Sequence, residues 1–462
     1  MASAVGLPNE LLEQIFDHLP AGVPSIVCAS HVCKRWRHLA SQHPKFCRDI
    51  SITDSGAGER EIPEGRIGVR VECLAAQLAS SEQPIDVTIR LCQEGAEMIE
   101  AALPLLPAHM HRVASFSFVS YRGHSWQGVV ALLDAPTPLL ESLRIDAGDD
   151  GWMEESRTDE MILPRSFLCG KERLRSLSLR LFTFPDDAIR NASIDQLGLC
   201  LPDQDSLGVA LDACPRIRRL DLSFRLGLYG RDLLPVIHDT RVANLTTLSI
   251  SQASGVLFYY AAVLETHLRG PLRITEFFCN EHLLVTSFDI TLCDAASTRQ
   301  RLFLGTILDL DEPYSDSLDV AEFRGLCIGN RLVELRACVN SIKIVAALLP
   351  SLPVLEVFVV ALRHYKAGTP LYPEPRSEAW HTFDAVGTVR SARVVCPVLT
   401  KLVIEGEGWT CSTSWLAHFA GHVLGVTPRR KLELVLHGAS LIGDPQEIRG
   451  HFHSISMYPS EQ

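Results

Sequence analysis

The sequence lacks the compact motifs that mark most enzyme active sites. It has no Gly-x-Ser-x-Gly elbow, no phosphate loop ending in Gly-Lys-Ser/Thr, no His-Glu-x-x-His pair and no full dinucleotide glycine fingerprint. Gly406-Glu407-Gly408 follows a strand-like run but lacks the third glycine, so it reads as a turn. None of the 14 cysteines is spaced Cys-x-x-Cys, which argues against a zinc ribbon or a dithiol redox centre. Most of them sit in apolar runs, where cysteine acts as a small hydrophobe, as is usual in a reducing compartment. The 17 histidines are dispersed, and the neighbours His451 and His453 are too few for a metal site. Basic excess is also missing. Lys and Arg total 43 against 55 Asp and Glu, a formal charge of −12, which argues against nucleic acid as the main partner. The longest strongly apolar run, Val256 to Leu264, is far too short to span a bilayer, and the N-terminus has no basic start followed by an apolar core. The expectation is a cytoplasmic and/or nuclear, cofactor-free protein with no membrane role.

What is present is apolar residue in quantity, 47% of the chain, enough for a sizeable core. The most organised stretch runs from Leu7 to Ile52. Leu11, Leu12, Ile15, Phe16 and Leu19 recur at the helical period, after Leu7-Pro8-Asn9, which suits a helix start, and before Pro20 and Gly22, which end it. Val32, Cys33, Trp36, Leu39 and Ala40 then predict a second apolar helix face, with Lys34, Arg35, Arg37 and His38 around it. A segment this short cannot bury a core alone. Either the rest of the chain or a partner must cover these faces, and spacing alone favours the chain itself.

This stretch resembles the F-box. The resemblance rests on Leu7-Pro8, Glu10-Leu11-Leu12, Ile15-Phe16 and Leu19, then Val32-Cys33-Lys34-Arg35-Trp36 and Leu39-Ala40. The tail His43-Pro44-Lys45-Phe46 through Ile50 and Ile52 is similar to the segment that follows many fungal F-boxes. The sequence departs from the family in a slightly longer link after Leu19, in Pro24 where an acidic residue is frequent, and in Cys47 where an aromatic is expected. The resemblance implies that residues 1–52 dock on a Skp-type adaptor of a cullin-based SCF ubiquitin ligase. Leu7, Pro8, Leu11, Leu12, Ile15, Phe16, Leu19, Val32, Cys33 and Trp36 would form the docking module.

After a small, polar stretch at 53–59, one template recurs through residues 53–462: an apolar helix-like run, a proline, then alternating apolar residues. Its centre is Leu-x-x-Leu-x-Leu. It occurs as Leu140, Leu143, Ile145; Leu174, Leu177, Leu179; Ile194, Leu197, Leu199; Ile217, Leu220, Leu222; Leu245, Leu248, Ile250; and Leu399, Leu402, Ile404. This is similar to an irregular leucine-rich repeat, in which units that cannot bury their own apolar face stack side by side. The seeds Leu143, Leu177, Leu197, Leu220 and Leu248 lie 34, 20, 23 and 28 residues apart, so the period is uneven. A compact α/β domain with parallel strands and crossover helices is the alternative; the recurrence of the template favours the array. Between 253 and 297 the template fades. There 256–268 reads as a helix, and 275–279 and 286–292 as strands of degenerate repeats. The expected fold class is thus α/β, a small helical module followed by a leucine-rich-repeat-like solenoid with a parallel sheet.

Three insertions interrupt the array. Residues 146–160 are acidic around Trp152, and 309–322 are acidic around Tyr314. Residues 364–380 carry Tyr365, Tyr372 and Trp380. Charged loops are usually solvated surface, but loop aromatics are good binding anchors because they bring contact area at low entropic cost. Trp152, Tyr365, Tyr372 and Trp380 are therefore candidate target contacts. The functional expectation is a non-catalytic, substrate-recognition subunit that binds the adaptor at one end and an unknown target protein along the array. The alternative is a Skp-binding scaffold outside ubiquitin transfer.

Overall fold

The structure is a computed structural model. It describes residues 7–19, 23–53, 71–72, 74–79, 82–91, 101–120, 126–147, 161–180, 182–185, 187–201, 205–224, 240–251, 267–268, 270–282, 285–294, 299–308, 328–362, 382–383, 393–427 and 429–459. Most of the helix expected at 256–268, both acidic insertions beyond Ala147, and the loop 364–380 lie outside them, and so do Trp152, Tyr365, Tyr372 and Trp380. The chain divides into two compact units, Met1–Arg225 and Leu226–Gln462.

In the first unit, helices α1 (Asn9–His18), α2 (Val23–Ser30), α3 (Lys34–Gln42) and α4 (Pro44–Cys47) lead into strand β1 (Asp49–Thr53). β1 pairs in parallel with Ile85–Leu91. Parallel pairing then follows sequence order through Val113–Ser120, Ser142–Ala147, Ser176–Arg180, Gln196–Leu201 and Arg219–Phe224. Helices Trp126–Leu133 and Asp205–Ala213 make two of the crossovers. The boundary expected at residue 52 falls inside β1, so the last strand of the N-terminal segment is also the first strand of the sheet.

The leucine template explains this order. Leu143, Leu177, Leu197 and Leu220 are register partners across adjacent strands, and so are Ile145, Leu179, Leu199 and Leu222. All are buried. The first residue of the template, such as Leu140, Leu174 or Ile194, is buried in the turn just before its strand. Each such side chain contributes about 1.5–3 kcal/mol when fully buried. The opposite face is polar, with Arg144, Ser178, Gly198 and Asp221 forming a single row.

The second unit repeats the scheme with one interruption. Thr247–Ser251 pairs in parallel with Gln300–Leu308, which belongs to an antiparallel meander with Val285–Asp294 and Leu272–His282. Leu272–His282 then pairs in parallel with Leu332–Cys338. The expectation of degenerate parallel repeats here is therefore corrected. The strands ending at His282 and starting at Val285 leave two residues between them, and a parallel crossover needs a dozen or more. Beyond the meander, Val357–Ala361, Lys401–Glu405, Leu432–His437 and Phe452–Tyr458 add in parallel. Leu335, Phe358, Leu402 and Leu434 form one buried row, and Ala337, Val360, Ile404 and Leu436 the next. Val359, Val403 and Val435 make a second buried cluster on the opposite face. That is why these strands read as near-continuous apolar runs. The strand Phe452–Tyr458 was not anticipated, because it carries no leucine template.

A further joint links neighbouring strands. A cation at or just before one strand donates to carbonyls in the turn that precedes its neighbour. Arg112 donates to Leu78 and Gln83, and Lys171 Nζ to Leu133 O at 3.0 Å. Arg301 donates to Ala243 O at 3.2 Å and to Leu245 O at 3.0 Å, and Arg331 to Gly270 O at 2.8 Å and to Leu268 O. Arg430 donates to Cys396 O at 2.8 Å and Leu399 O at 2.6 Å. Asn191 does the same to Lys171 O at 3.0 Å. Carbonyls at helix and turn ends commonly lack a full set of partners within their own element, and these side chains add a donor, even where, as at Cys396 O and Lys171 O, a backbone N–H of the same turn already donates. Arg301 is fully buried, and burial brings its pKa down to about 10, still protonated at neutral pH. The run Arg429-Arg430-Lys431 is thus only partly the solvated turn it resembles: Arg429 and Lys431 are exposed, while Arg430 is half-buried on carbonyl oxygens.

Candidate functional site

The N-terminal helices form a small core of their own. Pro8 precedes α1 with an extended backbone, and Leu12 N–H donates back to Pro8 O at 3.3 Å. Glu10 lies in the first turn, where its negative charge is favourable to the helix dipole. Cys33 is the N-cap of α3, its Sγ accepting from Trp36 N–H at 3.5 Å. Leu12 and Phe16 of α1, Ile26 and Ala29 of α2, and Leu39 and Ala40 of α3 are the buried centre, with Leu7, Leu19, Trp36 and Phe46 packed around it. The Phe16 ring meets Trp36 edge-on at 5.4 Å and His43 at 5.7 Å. Buried His43 lies 3.2 Å from the Asp17 carboxylate, and Arg35 Nε donates to Asn9 Oδ1 at 2.9 Å, tying α3 to α1.

The helix expected over Leu11–Leu19 is α1, but its single apolar face divides. Leu12 and Phe16 turn inward. Leu11 and Ile15, one helical turn apart, are 43% and 37% exposed. The second expected helix needs a correction. Val32 and Cys33 precede α3 instead of sharing its apolar face, and Val32 is 58% exposed. Pro8 is exposed as well. The ten residues expected to dock thus fall into an open set, Pro8, Leu11, Ile15 and Val32, and a set that holds the module together, Leu7, Leu12, Phe16, Leu19 and Trp36, with Cys33 as a cap. Helix α2 lies in the stretch between Leu19 and Val32 that reads in the sequence as a link. Pro24 in the first turn costs no hydrogen bond, and α2 begins one residue earlier at Val23. Its Ile26 and Ala29 complete the core.

The module is joined to the sheet behind it. Arg48 Nε lies 3.0 Å from the Asp86 carboxylate, Asp86 N–H donates to Arg48 O at 2.9 Å, and Gln77 Nε2 donates to Phe46 O at 2.8 Å. Elsewhere, burial pushes the thiols of Cys214, Cys396 and Cys411 up to about 12, away from the thiolate a nucleophile or metal ligand needs. Among the described residues no group of three or more metal-ligating side chains comes together, and no helix is long and apolar enough to cross a membrane.

Residues 5–53 match the family described as F-box-like. The matched segment runs from α1 through β1, the same residues that form the helical core and its connecting strand. No curated protein matches the chain. An F-box implies a Skp-binding adaptor role in SCF-type complexes, and F-box proteins are in general non-catalytic substrate adaptors.

Proposed function

We propose that this protein is the target-recognition subunit of an SCF-type ubiquitin ligase. Its F-box-like helices would dock on a Skp-type adaptor and through it on a cullin, while the strand-and-turn array would hold a target protein. The observation that carries the docking half is the division of α1. Leu12 and Phe16 are used by the module's own core, yet Leu11 and Ile15 remain open on the same helix. Apolar side chains one turn apart suit a partner surface. Val32 and Pro8 extend the open apolar set at the starts of α3 and α1.

The leucine-rich-repeat-like reading is supported by parallel strands that pair in sequence order and by the recurring cation–carbonyl joints. Target contacts are assigned to the open sheet faces and to the loop aromatics Tyr365, Tyr372, Trp380 and Trp152. The chain's contribution to chemistry is proximity, which needs no cofactor. Cytoplasm and nucleus are the proposed locations.

Affinity purification of the full chain tests this reading. Adaptor and cullin should co-purify with it, and Leu11→Glu with Ile15→Glu should remove both, because an unpaired charge at a desolvated contact is costly. Adaptor without cullin would indicate a scaffold outside ubiquitin transfer. Undiminished adaptor capture by the folded double variant refutes the assigned docking face.

A further inference from the structure

The strand Phe452–Tyr458 pairs with Leu432–His437 on one side, and among the described residues no strand pairs with the other. The two aliphatic rows of the unit reach this strand unfinished. Leu434 and Leu436 are fully buried, but their register partners Ile455 and Met457 are 38% and 59% exposed. From 452 to 458 the strand contains no Lys, Arg, Asp, Glu or Pro. Those are the residues that normally protect a free edge from pairing with another strand.

The sequence of the strand indicates which strand fits. The register shifts after Phe452, so the regular part is Ser454-Ile455-Ser456-Met457-Tyr458, and Ser456 is its centre. We propose that this strand pairs antiparallel with the same strand of a second copy of the chain, about a two-fold axis at Ser456. In that register Ile455 lies opposite Met457 of the second copy, and Met457 opposite its Ile455. The two exposed apolar residues of each copy cover those of the other, on the face where both rows were left open. Ser456 meets its own equivalent, so nothing bulky lies on the axis. Ser454 lies opposite Tyr458 on the other face, where the Tyr458 ring already stacks on His437 at 5.2 Å. A two-fold contact requires one surface to be complementary to itself, and this pattern is. A slip of one residue would turn the apolar pair to opposite faces. A slip of two would set Ile455 against Ile455 and Met457 against His453, at the bulged end of the strand, so the two apolar residues would no longer cover each other. The resulting assembly would carry two F-box-like modules.

Sedimentation of the full chain across micromolar concentrations should show a reversible monomer–dimer equilibrium, since one strand per copy is a small contact. Ile455→Lys with Met457→Lys should weaken the dimer at least a hundredfold and leave the thermal transition in place, because both positions are exposed. Ser456→Cys should form a disulfide-linked dimer on mild oxidation, beyond any crosslink of the unmodified chain. Residues directly opposed in an antiparallel pair have Cα atoms about 4.5–5.5 Å apart, within disulfide reach. A chain that stays monomeric to roughly 100 µM, a dimer indifferent to the two lysines, or no added crosslink from Ser456→Cys overturns the proposal. So does a monomer that takes up an extended target peptide on this edge.

Discussion

Replacing Arg430 with alanine isolates one cation–carbonyl joint. The guanidinium donates to Cys396 O at 2.8 Å and to Leu399 O at 2.6 Å, linking the strands Leu432–His437 and Lys401–Glu405 through the turn that precedes the second. Cys396 O keeps another partner, Leu399 N–H at 3.3 Å, so the loss falls mainly on the Leu399 carbonyl. A hydrogen bond to a charged group is worth about 1.5–3 kcal/mol, and the half-buried guanidinium recovers part of that in water. The expected loss is therefore ~2 kcal/mol. For a unit of this size that lowers Tm by about 4–8 °C. Arg429→Ala and Lys431→Ala change exposed neighbours of the same charge and should each stay within about 0.5 kcal/mol. Calorimetry on the full chain measures all three, with hydrogen exchange over Lys401–Glu405 and Leu432–His437 assigning the transition. Equal effects from the three substitutions would refute the joint and restore the view of this run as plain solvated charge.

Phe16→Ala removes the ring at the centre of the N-terminal core and should cost about 3–5 kcal/mol, read as loss of protease resistance over residues 7–47, whereas Leu11→Ala should leave that resistance intact. A chain starting at residue 54 loses β1 and bares the strand Ile85–Leu91, while one starting at Asp49 keeps β1. Light scattering should show aggregation of the shorter chain only, and equal behaviour of both would mean β1 protects nothing. Ser412 caps the helix Thr413–His418 by accepting from Trp415 N–H at 3.1 Å, so Ser412→Ala should cost about 1 kcal/mol in the denaturant midpoint, and Ser412→Asp should restore it.

The sheet was legible in the sequence wherever one face is apolar and the other polar. The triplets at Leu140, Leu174 and Ile194 each gave a buried turn residue and two inward strand residues, and the strands stack as that pattern requires. Along α1 the period showed that Leu11, Leu12, Ile15, Phe16 and Leu19 belong to one broad face. It carried no information on which edge of that face meets the module's own core. That division depends on Ile26 and Leu39, which reach α1 only through tertiary packing. The meander hid behind apolar runs that look alike in parallel and antiparallel strands, and only the two-residue gap after His282 distinguishes them. The cation joints had no local signature at all. Arg331 finds its carbonyls 61 and 63 residues earlier, and Arg430 finds its own 34 and 31 residues earlier.

Those separations bear on how such a chain accommodates inserted sequence. The strand pairs that carry a clasp are bonded at the backbone and held again at the turn, and neither bond depends on the length of what comes between. Thirty-four residues separate Arg112 from Leu78, 20 separate Asn191 from Lys171, and 63 separate Arg331 from Leu268, yet each clasp closes on the same kind of carbonyl. Since closing a longer loop adds only about 0.6 kcal/mol per doubling, a segment can lengthen between two strands while both clasps hold. The uneven spacing of the strands is then compatible with one mode of pairing, because a connection can differ in length and present different contact surface while the strands it joins keep their register.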